Sequence, residues 1–162
     1  MNQDILNAKK ETVSEVSNLL KENQALLVVE YRGLTVSELT SLRKSLRASE
    51  SSLAVYKNTL VRRALKESNI EGLDSYLEGP NAFIFSKDVT KGPKVVTKFA
   101  KKNDNLVIKC GLVDGKAYNA DEMKAIAKLP DKNGLIAMLL SCLQAPVRQF
   151  AATVKAVGEA KN

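Results

Sequence analysis

Hydrophobic positions along the chain follow two alternating spacings, one typical of amphipathic helices and the other of short buried strands. Helices are predicted over residues 3–22, 35–48, 59–67, 93–100 and 121–127. Strands are predicted over residues 25–31, 51–56, 82–85 and 106–113. Strands that alternate with helices indicate a central sheet with helices packed on it. We therefore predict an α/β fold of the α+β sandwich type, followed by a long C-terminal amphipathic helix; the order of the strands does not follow from this pattern.

Capping and turn residues mark where several of these elements begin. Thr35 suits the N-cap of the second helix, and Glu38 stands three residues later, which is the spacing of a capping box. Asn58 suits the N-cap of a third helix that begins at Thr59, because its side chain can accept a hydrogen bond from a first-turn N–H. Turns are predicted at Arg32-Gly33, Gly79-Pro80 and Asp114-Gly115.

The pattern changes near residue 130. A Leu-Pro pair at 129–130 and an Asn-Gly pair at 133–134 indicate a linker, so we predict one domain over 1–130 and a helical segment over 131–162. In that segment, seven apolar positions fall within an arc of about 120° on a helix of about 35 Å. This apolar stripe consists of Leu135, Leu139, Leu143, Val147, Phe150, Val154 and Val157.

Pro146 lies in the middle of the apolar stripe. It cannot donate a hydrogen bond to the carbonyl of Cys142, so it is expected to kink the helix and to divide the stripe into two segments, 135–143 and 147–157. Two interpretations of the stripe remain open. The helix either docks on its own domain or offers its apolar face to partner helices.

Charge adds a candidate binding surface. The chain carries a formal net charge of +7 and has a pI near 9.4, which favours an anionic partner. The excess is concentrated in residues 34–69, which hold seven Lys and Arg against three Glu. Arg62, Arg63 and Lys66 share the face of the third helix opposite its apolar positions, and Lys57 precedes that helix. Phosphate groups suit such a surface, because cations and helix N-termini both attract them. A solvated basic face is the alternative.

The composition argues against catalysis and metal binding. The chain has no His, the commonest metal ligand and general base, and it shows no phosphate-binding Gly loop or nucleophile motif. Cys110 and Cys142 form no metal-ligand pattern. Both are expected to be buried and reduced, and a disulfide between them is the alternative. The apolar run 135–140 is too short for a bilayer, and charges near the N-terminus do not suit a signal peptide. We expect a cytoplasmic protein with no enzyme activity, cofactor, metal or membrane partner.

Four segments resemble one known family, in the same order and over nearly the whole chain. They read EYRGLTVSELTSLRKSLR, VYKNTLVRRAL, EGPNAFIFS and LLSCLQAPVRQFAATVKAV. They resemble the bacterial stalk-base family of the large ribosomal subunit, large-subunit protein L-ten and its relative P-zero. The resemblance implies an α/β domain on large-subunit rRNA at the GTPase-associated centre, beside the neighbouring protein L-eleven. It also implies a C-terminal helix that carries dimers of the acidic stalk protein, which recruit GTP-bound translation factors.

Matched by position, the resemblance implies two sets of site residues. The rRNA-binding set is Arg32, Gly33, Lys57, Asn58, Arg62 and Arg63. Further candidates are Arg43, Lys44 and Arg47, for which the alternative is that they are simply solvated surface charges. The stalk-dimer set is the seven residues of the apolar stripe. The chain ends without the long acidic extension of the archaeal and eukaryotic relatives, so the bacterial form is expected, and two segments around Pro146 suggest two stalk dimers.

A rival hypothesis is a helix-turn-helix DNA-binding protein. The predicted helices at 35–48 and 59–67 both carry Arg and Lys, as a recognition element would. The segment 51–56 between them argues against this hypothesis, because it is longer and more strand-like than the usual three- or four-residue turn.

Overall fold

The computed structural model describes residues 3–68, 70, 72–103, 105–113 and 115–160. The chain divides into two compact units, Met1–Lys128 and Leu129–Asn162. The first unit contains a five-stranded antiparallel sheet with helices, and the second contains one long helix. The predicted fold class is confirmed.

The helices and strands lie close to their predicted positions. The helices are α1 (Gln3–Glu22), α2 (Val36–Ala48), α3 (Asn58–Glu67), α4 (Lys91–Ala100), α5 (Ala120–Lys128) and α6 (Lys132–Ala160). The strands are β1 (Ala25–Glu30), β2 (Ser51–Ala54), β3 (Asn81–Ser86), β4 (Val107–Val113) and β5 (Lys116–Asn119). A 3₁₀ turn spans Asp74–Tyr76. The sequence pattern missed this turn and β5, because both are short and neither shows a clear apolar alternation. Asp114 of the predicted Asp114-Gly115 turn lies outside the described residues.

The strand order is β2-β3-β1-β4-β5, and every neighbouring pair is antiparallel. β1 is the central strand. Its residues Ala25 to Val29 are all buried, as is every residue of β3. A strand buried on both faces reads as a continuous apolar run, which is why these two strands were recognisable from their sequence.

Helices cover both faces of the sheet. Side chains alternate between the two faces of β1, so Val28 packs with α1 and α3 on one face while Leu27 packs with α2, α4 and α5 on the other. The first core includes Phe83 and Phe85, and the second includes Met123. Each fully buried side chain of this size contributes roughly 1.5–3 kcal/mol to the folded state. The result is a sheet between two helical layers, with α2 and α3 on opposite faces.

The capping box predicted for α2 is present. Glu38 Oε2 accepts a hydrogen bond from the Thr35 backbone N–H at 2.8 Å and another from Thr35 Oγ1 at 2.8 Å. Thr35 Oγ1 in turn accepts from the Glu38 backbone N–H at 3.4 Å. The hydrogen bonds from Thr35, first from its backbone and then from its side chain, lower the pKa of Glu38 from its ordinary value of 4.5. The carboxylate therefore favours the fold above that pH, and the contribution is lost as the pH falls through the lowered pKa.

We expect Thr35→Ala to lower the free energy of unfolding by about 1 kcal/mol, because the N-cap side chain is removed. Chemical denaturation at neutral pH measures this loss, which should shrink below pH 4.5 as Glu38 is protonated. The matched control is Thr40→Ala, since the Thr40 hydroxyl donates to the Val36 carbonyl within the same helix and does not cap its start. Alanine favours a helix interior, so the control should not destabilise the protein. An equal loss in both variants would contradict a capping role for Thr35.

α6 corrects two predictions. The helix already begins at Lys132, so Asn133-Gly134 lies inside it and the predicted linker at that pair is wrong. A Cβ on Gly134 would lie 2.7 Å from Pro130 Cβ, so glycine is used there for close approach and not as a helix break. The helix continues through Pro146, and the kink expected there stays a prediction. Cys142 on this helix is exposed, contrary to expectation, whereas Cys110 is buried, and both are free thiols.

α6 is longer than the apolar run 135–140 from which a membrane span was judged in the sequence. Among the described residues, the segment Lys132–Glu159 is long and apolar enough by length and composition to cross a bilayer, which the short run 135–140 did not indicate. A single helix of this kind is weak support for a membrane segment. Arg148 lies near its middle, and an arginine at the centre of a membrane helix costs roughly 2.5–3.5 kcal/mol.

Candidate nucleic-acid interface and partner helix

Most of the sequence-predicted phosphate-binding positions lie at one edge of the sheet. At this edge Glu30, the last residue of β1, pairs with Asn81 and Val107, the first residues of β3 and β4. β2 ends at the same edge. The Arg32-Gly33 turn follows β1, and α3 begins shortly after β2. The fold therefore brings the two motifs YRG and KNT to the same edge of the sheet.

Side-chain hydrogen bonds hold this edge together. Asn58 Nδ2 donates to the carbonyl of Gly79 at 2.9 Å, which ties the start of α3 to the turn before β3. Asn105 Nδ2 donates to the carbonyl of Gly33 at 3.1 Å. Gly33 has φ +90°, a left-handed conformation, and a Cβ there would lie 3.3 Å from Asn105 Cγ. Gly33 therefore shapes the predicted turn after β1 through its backbone conformation and its close approach to Asn105.

The predicted N-cap role of Asn58 is wrong. α3 begins at Asn58 itself, and its N-cap is Lys57, which makes no side-chain capping hydrogen bond. The Asn58 amide is instead engaged with Gly79, 21 residues further along the chain. Among the described residues, no side chain caps the first N–H groups of α3, a feature that suits an anionic ligand when cations lie nearby.

Lys109 is a residue of this edge that the sequence did not single out. Its Nζ donates to the carbonyl of Glu78 at 2.7 Å and lies 2.8 Å from Glu30 Oε2. Both side chains of the ion pair are largely buried, at 20% and 25% exposure. The one available signal was a lysine inside the otherwise apolar strand VIKCGLV. Its charge is neutralised by Glu30, so its role here is structural.

The two arginines of the RR motif have different environments. Arg62 Nε lies 3.0 Å from Asp74 Oδ1 and forms an ion pair with it, although the geometry at Nε is not that of a hydrogen bond. Arg62 Nη2 donates a hydrogen bond to the Asp74 carbonyl at 3.2 Å. Arg62 thereby fastens α3 to the 3₁₀ turn. Arg63 is exposed and forms no ion pair within the part of the chain that the structure describes. Of the two, Arg63 is the side chain that remains available to a ligand.

The candidates on α2 do not join this surface. α2 packs on the sheet face opposite α3, and its C-terminal end leads into Ser51, which pairs with Ser86 at the far end of the sheet. Arg43 is half-buried, while Lys44 and Arg47 are exposed. These three cations are thus separated from Lys57 and Arg63 by the thickness of the sheet. The same arrangement excludes the helix-turn-helix hypothesis, because β2 separates α2 and α3 and the two helices lie on opposite faces.

The apolar stripe of α6 in the second unit is exposed to solvent. Its seven side chains are exposed, with fractions from 38% at Leu135 to 73% at Phe150. The opposite face is polar, and there Arg148 donates to Gln144 Oε1 at 3.0 Å and to Ser141 Oγ at 3.5 Å. The helix is therefore amphipathic, and a stripe of this size is rarely left uncovered in a functioning protein.

The described residues offer little to support chemistry. They contain no group of three or more His, Cys, Asp and Glu placed to hold a metal ion. Burial raises the pKa of the Cys110 thiol to about 12, which keeps it protonated near neutral pH. The first unit instead presents a basic sheet edge and the second an exposed amphipathic helix, two features typical of structural proteins that assemble with other macromolecules.

Comparison with known proteins assigns the family. Residues 4–101 match the family model of ribosomal protein L10, and residues 129–162 match that of the ribosomal protein uL10 C-terminal region. The chain is 48% identical to the large ribosomal subunit protein uL10 of Bacillus licheniformis over 97% of this chain and 95% of the relative. It is 49% identical to the protein of the same name from Staphylococcus carnosus, over 98% and 96%. The chain belongs to the ribosomal protein L10 family, whose members are structural ribosomal proteins and not enzymes.

Proposed function

We propose that this chain is a structural protein of the large ribosomal subunit that forms the base of the lateral stalk. Its first unit binds rRNA at the GTPase-associated centre, beside protein L-eleven. Its α6 helix carries dimers of the acidic stalk protein, which recruit GTP-bound translation factors, and the whole assembly works in the cytoplasm. One observation supports this proposal above the others: a localised basic surface and an exposed apolar stripe occur in separate compact units.

The rRNA-binding surface is centred on the start of α3. Lys57 and Arg63 are exposed cations there, and Arg32 is exposed in the turn at the same edge. Gly33 and Asn58 shape this edge through the hydrogen bonds to Asn105 and Gly79 and are not themselves charged contacts. Arg62 contributes by holding the 3₁₀ turn through Asp74. A surface of this kind binds phosphates and reads the shape of folded RNA.

The stalk-binding surface is the apolar stripe of α6. An amphipathic helix of this length offers its apolar face to partner helices, and each buried aromatic or aliphatic side chain is an anchor. Pro146 lies in the sequence between two segments of the stripe of similar length, 135–143 and 147–157, so we propose two stalk dimers, one on each segment. Tethered stalk proteins raise the effective concentration of translation factors near the ribosome, and no chemistry by this chain is required.

Two measurements on the full chain test the proposal. Binding to a transcript of the stalk-base rRNA should weaken steeply as salt rises, because phosphate contacts release counterions. Native mass spectrometry after co-expression with a bacterial acidic stalk protein should show two stalk dimers on each chain. Salt-independent RNA binding would contradict the first surface. A chain that carries no stalk subunits would favour docking of α6 on its own domain, and a third dimer would refute the count.

A further inference from the structure

A groove runs between α1 and α3 in the first unit. Its volume is about 450 Å³, and its lining combines an apolar floor with cations from both helices. The floor includes Val13 of α1 and Leu60 of α3, which also pack on the core of this face. The cationic side chains are Lys9 and Lys10 of α1 together with Lys57 and Arg63 of α3. Four positive charges thus line one depression of the surface, against a single carboxylate, Glu67.

The four cations are available to a ligand. All four residues are exposed, and none forms an ion pair with another described residue. The acidic residues of the same stretch of α1, Glu11 and Glu15, do not line the groove. The uncapped start of α3 adds its N–H groups at one end. A groove in which four like charges face a single carboxylate is stabilised by an anionic ligand.

We propose that this groove binds a segment of RNA backbone and that α1 contributes Lys9 and Lys10 to the rRNA interface. This inference rests on the rRNA-binding function proposed for the first unit. It extends the interface from the edge of the sheet along the α1–α3 face, whereas the basic face of α2 points away from it. The phosphates lie between the lysines of α1 and Arg63 of α3, and Lys57 holds the end of the groove nearest the start of α3.

The full chain with Lys9→Gln and Lys10→Gln tests this inference. We expect its affinity for the stalk-base rRNA transcript to fall about tenfold near 0.1 M salt, and the slope of log affinity against log salt to fall by about 2. The matched control is Lys98→Gln with Lys102→Gln, which removes the same charge from exposed positions on and just after α4, on the other face of the sheet. Circular dichroism and thermal unfolding of both variants confirm that the fold is intact.

The outcomes separate this inference from the function on which it rests. If the wild-type chain binds the transcript with steep salt dependence and only the α1 variant is weakened, the groove is part of the interface. If both variants lose affinity equally, the effect is one of net charge and the groove proposal is wrong. If neither variant changes affinity, α1 lies outside the interface while rRNA binding stands. A wild-type chain that does not bind the transcript refutes rRNA binding itself.

Discussion

Leu139→Asp is expected to abolish stable binding of stalk dimers to α6. Leu139 lies within the apolar stripe and is 61% exposed, so a partner helix would bury most of it. The substitution removes an apolar anchor and places a carboxylate within the apolar stripe that the partner would cover, so affinity should fall on the order of 100-fold or more. Native mass spectrometry of the co-expressed proteins, together with titration of the purified chain with stalk dimers, measures the loss.

Ala137→Asp is the matched control for this change. Ala137 is exposed and lies on the opposite side of α6, so the variant introduces the same charge into the same helix but outside the stripe. We expect it to bind stalk dimers normally. Both variants should bind rRNA like the wild type. Equal loss of stalk binding in the two variants would show that helix stability, and not the apolar face, had been tested.

Lys57→Gln with Arg63→Gln is expected to cause the largest loss of rRNA affinity. Both side chains are exposed at the start of α3, where its uncapped N–H groups strengthen the attraction for phosphate. Removal of two phosphate contacts should reduce the salt slope by about 2 and the affinity by about tenfold or more near 0.1 M salt. Filter binding or fluorescence anisotropy across a salt series measures both quantities, and binding of stalk dimers should be unchanged.

Arg62→Gln is to be compared with Arg63→Gln, because the structure places the two arginines in different environments. Because Arg62 is paired with Asp74, its loss should mainly lower the free energy of unfolding, by roughly 0.2–1 kcal/mol for a partly exposed pair. Its effect on rRNA affinity should be smaller than that of Arg63→Gln alone. If Arg62→Gln weakens rRNA binding as much as Arg63→Gln while the fold is intact, the assignment of separate roles is wrong.

Features that depend on a few neighbouring residues were predictable from the sequence. The Thr35–Glu38 capping box was recognisable because both partners lie within one turn of the helix. The buried strand β1 and the stripe of α6 were recognisable from the period of their apolar positions. β5 was missed because its short polar segment has no pattern of its own and is a strand through pairing with β4.

The candidate site was only partly predictable. Lys57 and Arg63 were identified correctly as exposed cations, because a helical period separates Arg63 from the buried residues of α3 and Lys57 directly precedes that helix. Asn58 was assigned to a local cap because its partner Gly79 is 21 residues away. Lys9 and Lys10 were overlooked because residues 1–33 carry slightly more acidic than basic side chains. The net charge of a segment does not say on which face of α1 each charged residue lies.

The sequence by itself determined the class of fold, the positions of the main helices and strands, and the family to which the chain belongs. These depend on local periodicity, on capping residues and on motifs in a fixed order. Only the tertiary structure decided the strand order, the placement of α2 and α3 on opposite faces, and the separate environments of Arg62 and Arg63. The physical reason is that sheet pairing and helix packing join residues far apart in the chain, and no local pattern specifies which distant partners will meet.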